Sequence, residues 1–345
     1  MPFYTGFTME KRTMEKKSLR AAREVIGQSQ RVLITTHVNP DGDGIGSELA
    51  LYHFLTKLGK DVRVINRDAV PEIFAFLPGA SRIEIGAAPP ADRDLTIILD
   101  CGGMERTGLS LHGEDRSQVI VIDHHLTNDQ AGGINIVDAE ASATGELVYE
   151  LMELMEKNGP AAIDQAIALC LYTSIFTDTG SFRYSNTSPR ALAIASELVA
   201  YGVDTWMVAE AVYESKPFPV LKLLGIFLTT LGVSQKSLFA WGTLEEAAFE
   251  ATGTRPEHTD GFVNYPRSIR GVEVAVLFRE LKPDAVKVSM RSKGKVNVAA
   301  IAEEFGGGGH HNAAGCVVEG SLGEVRHRVL NILAAFLKDE VLPPV

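Results

Sequence analysis

The stretch VIVIDHH at residues 119–125 decides the fold class predicted for this chain. Its four apolar residues form the near-continuous run that is typical of a buried parallel strand. The run stops at Asp123, His124 and His125, whose side chains can bind a metal ion. Because ligands of open α/β sheets bind at the carboxyl ends of the strands, the stretch predicts a parallel sheet with a site at one edge.

Three other apolar segments end in the same way. The segments and the residues after them are Arg31–Thr36 with His37, Asp41 and Asp43; Leu95–Leu99 with Asp100; and Ile167–Phe176 with Asp178. Each end taken alone fits an ordinary turn or helix cap, because Asp and Gly favour turns. Their joint occurrence indicates one convergent site, of a kind that supports metal-assisted attack on phosphorus.

The turn NPDGDG at residues 39–44 matches two common ligand-binding loops only in part. An EF-hand loop that starts at Asn39 needs Glu at its twelfth position, where this chain has Ala50. A P-loop needs Gly-Lys-Ser/Thr, which does not follow here. Both loops are excluded, and the two glycines are expected to let the backbone fold sharply and aim Asp41 and Asp43 at neighbouring points.

The composition is that of an ordinary globular protein, with 345 residues of which 45% are hydrophobic and 22% are charged. No run approaches the roughly 18 apolar residues of a membrane span, and residues 1–17 lack the apolar core of a signal peptide. The three cysteines are odd in number and form no CxxC pair, which argues against a disulfide framework or a zinc ribbon. We therefore expect a cytoplasmic location without membrane contact.

The formal net charge of −11 bears on the substrate. Proteins that track long nucleic acids usually carry a basic face, because phosphate contacts dominate their affinity. We therefore expect no long nucleic acid as a partner, and a phosphate substrate that is small or gripped locally.

The pattern along the chain predicts an α/β protein of two domains. After a disordered or loosely ordered lead-in over residues 1–17, strands that alternate with helices over 18–212 predict a parallel sheet covered on both faces. Two prolines in three residues predict a linker over 213–228. Residues 229–345 are predicted to form a smaller α/β domain with a mixed sheet.

The predicted site offers two or three imidazoles and four carboxylates, but no thiolate. Such ligands suit Mn²⁺, with Mg²⁺, Co²⁺ or Zn²⁺ as alternatives, and so many anionic ligands fit two ions better than one. If the strand continued through His124 and His125, their side chains would point to opposite sides. On that pattern, at most one of the two would bind a given metal ion.

The motifs, taken in order, resemble those of a known family. HxxxDxD at residues 37–43, Asp100, DHH at residues 123–125 and Asp178 resemble the four motifs of the DHH phosphoesterase superfamily. GGGGHHNAAG at residues 306–315 resembles the GGGH segment of the DHH-associated C-terminal domain. By size, the chain resembles the compact oligoribonucleases, or nano-RNases, that also dephosphorylate adenosine 3′,5′-bisphosphate (pAp).

The resemblance implies a role for each residue of the N-terminal motifs. The metal ligands would be His37, Asp41, Asp43, Asp100, His124 and Asp178. His37 and Asp41 would bind a first ion and the others a second, with Asp100 bridging the two. The catalytic residues would be Asp100, Asp123 and His125: His125 would contact the phosphate or the attacking water, and Asp123 would orient the imidazoles.

In the C-terminal domain the resemblance implies a set of substrate-binding residues. They would be Arg267, Arg291, Gly308, Gly309, His310 and His311. Arg291 is the candidate for gripping a phosphate, with Arg267 as the weaker alternative. The segment around His310 would close over the substrate across an active-site cleft between the domains.

The implied activity is Mn²⁺-dependent hydrolysis of short RNAs, two to five nucleotides long, to mononucleotides. The same site would also remove a phosphate from pAp. A phosphodiesterase for cyclic or linear dinucleotides is the alternative that shares the same catalytic core. A RecJ-type single-strand exonuclease would usually be longer and carry an OB-fold, and a family II pyrophosphatase would lack the GGGH segment. A nucleotide-binding protein that kept the fold without the activity is the alternative from another class, and a homodimer is left open.

Overall fold

A computed structural model describes the chain at residues 7–111, 115–125, 127–156 and 162–338, without the side chains of residues 7–16 and of residue 310. The chain divides into two compact units, Met1–Ser215 and Lys216–Val345. Residues 339–345 of the predicted C-terminal domain lie outside the described residues.

The N-terminal unit is built on a parallel sheet. Its strands within the described ranges are β1 (Arg31–Thr35), β2 (Asp61–Asn66), β3 (Glu84–Ile85), β4 (Leu95–Leu99), β5 (Val119–Asp123) and β6 (Ile134–Val137). They lie in the order β3-β2-β1-β4-β5-β6, and every neighbouring pair runs parallel. The predicted parallel sheet is confirmed, and the apolar runs before His37, Asp100 and His124 are three adjacent strands.

The described helices of this unit are α1 (Phe7–Gln28), α2 (Gly42–Lys57), α3 (Thr144–Glu156), α4 (Gln165–Asp178), α5 (Pro189–Ala200) and α6 (Thr205–Ala209). Helices α1, α2 and α3 contact the sheet, and α4 packs on α2 and α3. Because the fourth apolar run lies inside α4, Asp178 reaches the edge of the sheet from the end of a helix and not from a strand.

The prediction of a loosely ordered lead-in is wrong for residues 7–17, because α1 begins at Phe7. Met, Glu, Lys and Arg, which dominate this stretch, are good helix formers. Residues 1–6 lie outside the described residues.

Glycines let α2 approach α4 closely. A Cβ atom at Gly46 would lie 2.5 Å from the carbonyl oxygen of Cys170, and one at Gly42 would lie 2.4 Å from Thr177 Oγ1. Real Cβ atoms do not come this near to other heavy atoms, so larger residues at these positions would force the two helices apart. The close approach brings the start of α2, with Asp41 and Asp43, to the end of α4.

The C-terminal unit is built on a mixed sheet. Its strands, as far as the structure describes them, are β7 (Gly232–Val233), β8 (Phe239–Leu244), β9 (Val274–Lys282), β10 (Ala285–Ser292), β11 (Gly308–His310) and β12 (Ala313–Glu319). The order is β11-β12-β10-β9-β8-β7, in which only β8 and β9 pair in parallel. The predicted mixed sheet is confirmed.

The helices of this unit are α7 (Phe218–Thr229), α8 (Glu246–Thr252), α9 (Asn264–Ser268), α10 (Val298–Glu303) and α11 (Leu322–Leu337). Val276 and Val288 belong to a core with α10 and α11, whereas Leu277 belongs to a second core with α7 and α8 on the opposite face. The two cores follow the alternation of side chains along β9.

The predicted linker is largely helical, because α7 covers residues 218–229. The two prolines flank the first residue of α7. Proline is tolerated at the start of a helix, because the N–H group that it lacks would have no hydrogen-bond partner within the helix there. Short irregular turns complete the chain at Glu72–Phe74, Ala80–Arg82, Met104–Thr107, Arg116–Gln118, Glu210–Glu214 and Pro256–Thr259. Over the described residues, we find no helix with the length and apolar character needed to cross a membrane.

Candidate metal centre

Four structural elements bring the N-terminal motif residues to one edge of the parallel sheet. His37 follows β1, Asp100 follows β4, and His124 follows β5. Asp43 lies in the first turn of α2, whose N-cap residue is Asp41. Asp178 lies at the end of α4. Motifs that are far apart in the sequence therefore meet at one edge of the sheet, as the pattern of strand ends predicted.

Asp100 lies between two groups of ligand atoms. Its Oδ2 atom is 3.5 Å from His37 Nε2, which is also 4.0 Å from Asp41 Oδ2. Its Oδ1 atom is 3.6 Å from His124 Nε2, which is also 3.5 Å from Asp43 Oδ2. Each oxygen of Asp100 therefore faces a different imidazole, which is the arrangement required of a bridging carboxylate.

The second group also contains Asp178, whose Oδ2 atom lies 3.7 Å from His124 Nε2. In each of the groups His37–Asp41–Asp100 and Asp43–His124–Asp178, the ligand atoms lie within 4.8 Å of one another. The ligand atoms of Asp100, His124 and His125 also meet this limit, so the geometry offers a third set beside the two that the resemblance implies.

Backbone carbonyl groups fix the orientation of two imidazoles. His37 Nδ1 lies 2.8 Å from the carbonyl oxygen of Val38, and His124 Nδ1 lies 3.2 Å from that of Ala141. A carbonyl can only accept, so each Nδ1 atom carries the proton and donates it. The lone pair of Nε2 then points into the site, as a metal ligand requires.

His125 faces the site together with His124. The strand ends at Asp123, so the alternation of side chains does not continue, and the two ring centroids lie 5.0 Å apart. His125 Nδ1 is 2.5 Å from Asp123 Oδ1 and 3.6 Å from Asp100 Oδ1. Asp123 is fully buried and also accepts a hydrogen bond from Asn128 Nδ2 at 2.6 Å, which holds its carboxylate in place for His125.

The site concentrates negative charge in a buried place. Burial and the charge of Asp100 raise the pKa of Asp43 to about 7, and burial raises the pKa of Asp178 well above its ordinary value. Burial disfavours a charged His124, yet the carboxylates of Asp178, Asp43 and Asp100 raise its pKa to about 10. Burial likewise opposes a charged His37, but the hydrogen bond to Asp100 and the nearby carboxylates raise its pKa to about 9.

These shifts show that the carboxylates need compensating positive charge to ionise together. Divalent cations held by the carboxylates and by neutral imidazoles would supply it. Imidazole and carboxylate donors without a thiolate suit ions such as Mn²⁺ and Mg²⁺. The residues present therefore fit a divalent metal site.

The residues that support the ligands were not predicted from the sequence. Asp43 Oδ1 accepts a hydrogen bond from Ser174 Oγ, and Asp100 Oδ1 accepts one from Thr144 Oγ1 at 3.1 Å. Behind the site, Asn66 Nδ2 donates to Glu48 Oε2 at 2.8 Å. Glu48 could have been found from the sequence, because it is a charged residue among the apolar positions of α2. Ser174 and Thr144 could not, because they contact ligands that are distant in the sequence.

The C-terminal candidates gather in one corner of the mixed sheet. Arg291 on β10 pairs with Ala313 on β12, which pairs with His310 on β11, so the register places these residues in one row across three strands. A Cβ atom at Gly309 would lie 2.4 Å from the carbonyl oxygen of Ala313, so only glycine fits this close approach. Gly308 lies beside it on β11 and has open space around its Cα atom.

The two weaker candidates differ in their surroundings. His311 Nε2 lies 3.0 Å from the carbonyl oxygen of Gly294, so its ring binds a neighbouring loop of the same unit. Arg267 is half-buried in the last turn of α9, a short helix that packs on β9 and β10. The side chain of His310 lies outside the described residues.

Comparison with known proteins places this geometry in a family. The model of the DHH family, N-terminal domain, matches residues 31–175, and that of the DHHA1 domain matches residues 245–339. A bifunctional oligoribonuclease and PAP phosphatase from Thermus thermophilus is 35% identical over 94% of this chain and 95% of its own length. The chain belongs to the DHH phosphoesterase family. Membership in this family makes the chain a hydrolase of phosphoester bonds.

Other members of the DHH family are similar over most of their length. A bifunctional oligoribonuclease and PAP phosphatase from Bacillus subtilis is 28% identical over 83% of this chain and 89% of that protein. The crystal structure of an exopolyphosphatase-related protein from Bacteroides fragilis is 30% identical, with a TM-score of 0.85, over 94% of this chain and 98% of that chain. The family resemblance drawn from the motifs is confirmed.

Proposed function

We propose that this chain hydrolyses short RNA oligonucleotides to mononucleotides and removes a phosphate from pAp, with two divalent metal ions, most favourably Mn²⁺. The observation that carries the proposal is the position of Asp100 between two groups of imidazole and carboxylate ligands. The names of the two oligoribonuclease relatives support the choice of substrates. The complete ligand set argues against a binding protein that kept the fold without the activity.

Two groups of residues would hold the ions. His37 and Asp41 would hold the first, Asp43, His124 and Asp178 the second, and Asp100 both. When bound, such ions lower the pKa of a water molecule and stabilise the charge that develops on phosphoryl oxygens.

His125 is the proposed contact to the phosphate. Burial opposes its charged form, but the hydrogen bond to Asp123 and the charge of Asp100 raise the pKa of His125. A protonated ring anchored through Nδ1 carries its second N–H group on the opposite edge of the ring. That group would donate a hydrogen bond to a phosphoryl oxygen, while Asp123 prevents the ring from turning.

The C-terminal unit would select the substrate. Arg291 is proposed to bind a phosphate through its planar guanidinium group, and the backbone of Gly308 and Gly309 allows close approach of the nucleotide. With a net charge of −11, added nucleotides beyond the first few should gain little affinity and meet repulsion. We also propose a cytoplasmic location, since all three cysteines are buried with free thiols.

A panel of substrates with Mn²⁺ tests the proposal. It compares an RNA dinucleotide, a pentanucleotide, a 20-nucleotide RNA, pAp, cyclic di-AMP and pyrophosphate at equal concentrations, with Asp100→Asn as the inactive control. We expect fast cleavage of dinucleotide, pentanucleotide and pAp, slow cleavage of the long RNA, and a weak dependence of the rate on salt.

Other outcomes of the panel reject the proposal in distinct ways. Faster cleavage of cyclic di-AMP than of every RNA would favour a cyclic-dinucleotide phosphodiesterase. Equal or faster degradation of the 20-nucleotide RNA, with steep salt dependence, would favour a RecJ-type exonuclease.

A further inference from the structure

We propose that Arg279 and Lys287 form a second phosphate-binding subsite on the C-terminal sheet, which binds a phosphate of the substrate other than the one that is hydrolysed. The inference rests on the proposed function and deepens it by assigning residues to the rest of the substrate. Neither residue belongs to the motifs of the sequence.

The strand register places these cations on one face with Arg291. Lys287 on β10 is directly opposite Arg279 on β9, and Lys287, Ser289 and Arg291 alternate along β10 on the same face. Lys287 and Arg291 are four residues apart, or roughly 13 Å along the strand. Side chains that stand perpendicular to the sheet at this separation would not hold the same phosphate, so each end of the row would bind its own.

The face that carries the row is partly open at β10 and β12, although α9 also contacts β10. On β9 the same face is covered, since Ala275 and Leu277 lie in the core with α7 and α8. On β10 and β12 it is accessible: Ser289 is half-buried, Lys287 is exposed, and Val317 is 57% exposed. A strip of accessible sheet with cations at both ends is a surface on which an extended chain of nucleotides can lie.

The surroundings of Arg279 indicate a binding site for an anion. Its side chain is only 9% exposed, yet no hydrogen bond or ion pair to it is found among the described residues. The carboxylates of Asp260 and Glu257 act on its charge only from beyond ion-pair distance. None of its nitrogens is among the fully buried polar atoms without a partner, so the guanidinium group reaches solvent at the sheet surface, where its N–H donors are accessible to a phosphate.

The electrostatics of Lys287 support the same conclusion. Partial burial of its stem, and then the positive charge of Arg279, lower the pKa of Lys287; the carboxylate of Asp260 opposes this shift, and Arg291 adds a smaller lowering contribution. The net lowering shows that Asp260 offsets only part of the repulsion between the two cations. A phosphate with oxygens directed at both side chains would relieve the repulsion and satisfy the donors of Arg279.

The test compares substrates that differ in the number of phosphates. kcat/KM is measured for the dinucleotide ApA, which has one phosphate, and for a 5′-phosphorylated adenylate pentanucleotide, which has five. The variants are Lys287→Gln, which changes an exposed side chain, and Arg279→Met, which keeps the volume of a buried one. Lys282→Gln is the control, because it removes one exposed charge from the same sheet, where Lys282 pairs with Asp284 at 3.2 Å.

We expect both variants to lose about tenfold in kcat/KM on the pentanucleotide and to match the wild-type chain on ApA. Removal of one phosphate contact should also lower the slope of log K against log salt for pentanucleotide binding by about 0.7. The control should change neither quantity. Melting temperatures establish that the variants are folded.

Equal loss on both substrates, or an unchanged salt slope in Lys287→Gln, would overturn the subsite and assign Arg279 and Lys287 a structural role. Failure of the wild-type chain to hydrolyse ApA would reject the proposed function instead. In that case the subsite is tested by binding alone. Fluorescence anisotropy gives the affinity of the chelator-treated wild-type chain and of the variants for a labelled pentanucleotide, and weaker binding by the variants would support the subsite.

Discussion

Asp43 Oδ2 accepts a hydrogen bond from the backbone N–H group of Thr144 at 2.7 Å. Its Oδ1 atom accepts a second, from the N–H group of Gly145 at 3.1 Å. Thr144 begins α3, so a candidate metal ligand from α2 also caps another helix and is stabilised by the positive end of its dipole. Asp43 therefore contributes to the fold as well as to the site.

We expect Asp43→Ala to lower the free energy of unfolding of the chelator-treated protein by about 1–2 kcal/mol, because it leaves buried helix N–H groups without an acceptor. Asp43→Asn keeps one acceptor oxygen and should lose less. Urea unfolding followed by circular dichroism measures both. Equal stability of Asp43→Ala and the wild-type chain would show that the contacts to α3 are dispensable.

Asp100→Asn should lower kcat by several orders of magnitude, since a bridging carboxylate positions both ions. Its fold should survive, because Asn adopts the left-handed backbone conformation that Asp100 has at φ 51°. Asp94→Asn, just before the same strand, is the matched control and should keep its activity. Activity of Asp100→Asn close to that of the control, with Mn²⁺ present, would exclude the two-metal arrangement.

His124→Ala and His125→Ala should fail in different ways. His124 Nε2 faces three carboxylates, so its loss should reduce the amount of bound Mn²⁺. His125 is held by Asp123, so its loss should lower kcat while most of the metal is retained. Metal analysis after gel filtration, together with rates on pAp, separates the two, and identical metal content in both variants would contradict this division.

Arg291→Ala should lower kcat/KM on ApA by about ten- to a hundredfold, because a charge-assisted hydrogen bond to phosphate contributes roughly 1.5–3 kcal/mol. Bound Mn²⁺ should stay at the level of the wild-type chain. A comparable loss of metal would place Arg291 in the metal site and not in substrate binding.

Glu48→Gln should stabilise the chelator-treated protein in a manner that depends on pH. Burial raises the pKa of Glu48 from 4.5 to about 8 in the folded state, so the folded chain holds a proton that the unfolded chain releases. The contribution of Glu48 to stability therefore falls as pH rises from about 4.5 to 8, by up to about 1.4 kcal/mol per pH unit. The amide group introduced by the substitution cannot titrate and can still accept the hydrogen bond from Asn66.

Urea unfolding of both chains at several pH values measures the difference. It should be small below pH 4.5, grow as the pH rises, and level off above about pH 8. A difference that is constant across this range would show that Glu48 is ionised in the folded protein throughout.

The sequence predicted the parts of the site that depend on strands. The apolar runs before His37, Asp100 and His124 are adjacent strands, and a parallel sheet necessarily brings their ends together. Periodicity alone did not predict the orientation of His125, because that orientation depends on the strand ending at Asp123; only the family resemblance placed His125 beside the phosphate. Helix ends and long-range contacts, such as Ser174 to Asp43, leave no periodic signal in the chain.

The basic row on the C-terminal sheet was hidden for a different reason. A net charge of −11 averages over the whole chain, whereas Arg279 is placed beside Lys287, in line with Arg291, only by the pairing of β9 with β10. Local charge of this kind becomes visible once the register is known.

The glycines of α2 set the spacing between candidate ligands that lie on different helices. Asp43 and Asp178 are carried by different helices, and the distance between those helices is limited by the contact of Gly46 with the backbone of Cys170. A single added methyl group at residue 46 would widen the gap between the ligands although it touches none of them. The separation of Asp43 and Asp178 thus depends on a contact between helices that lies about one turn from Asp43.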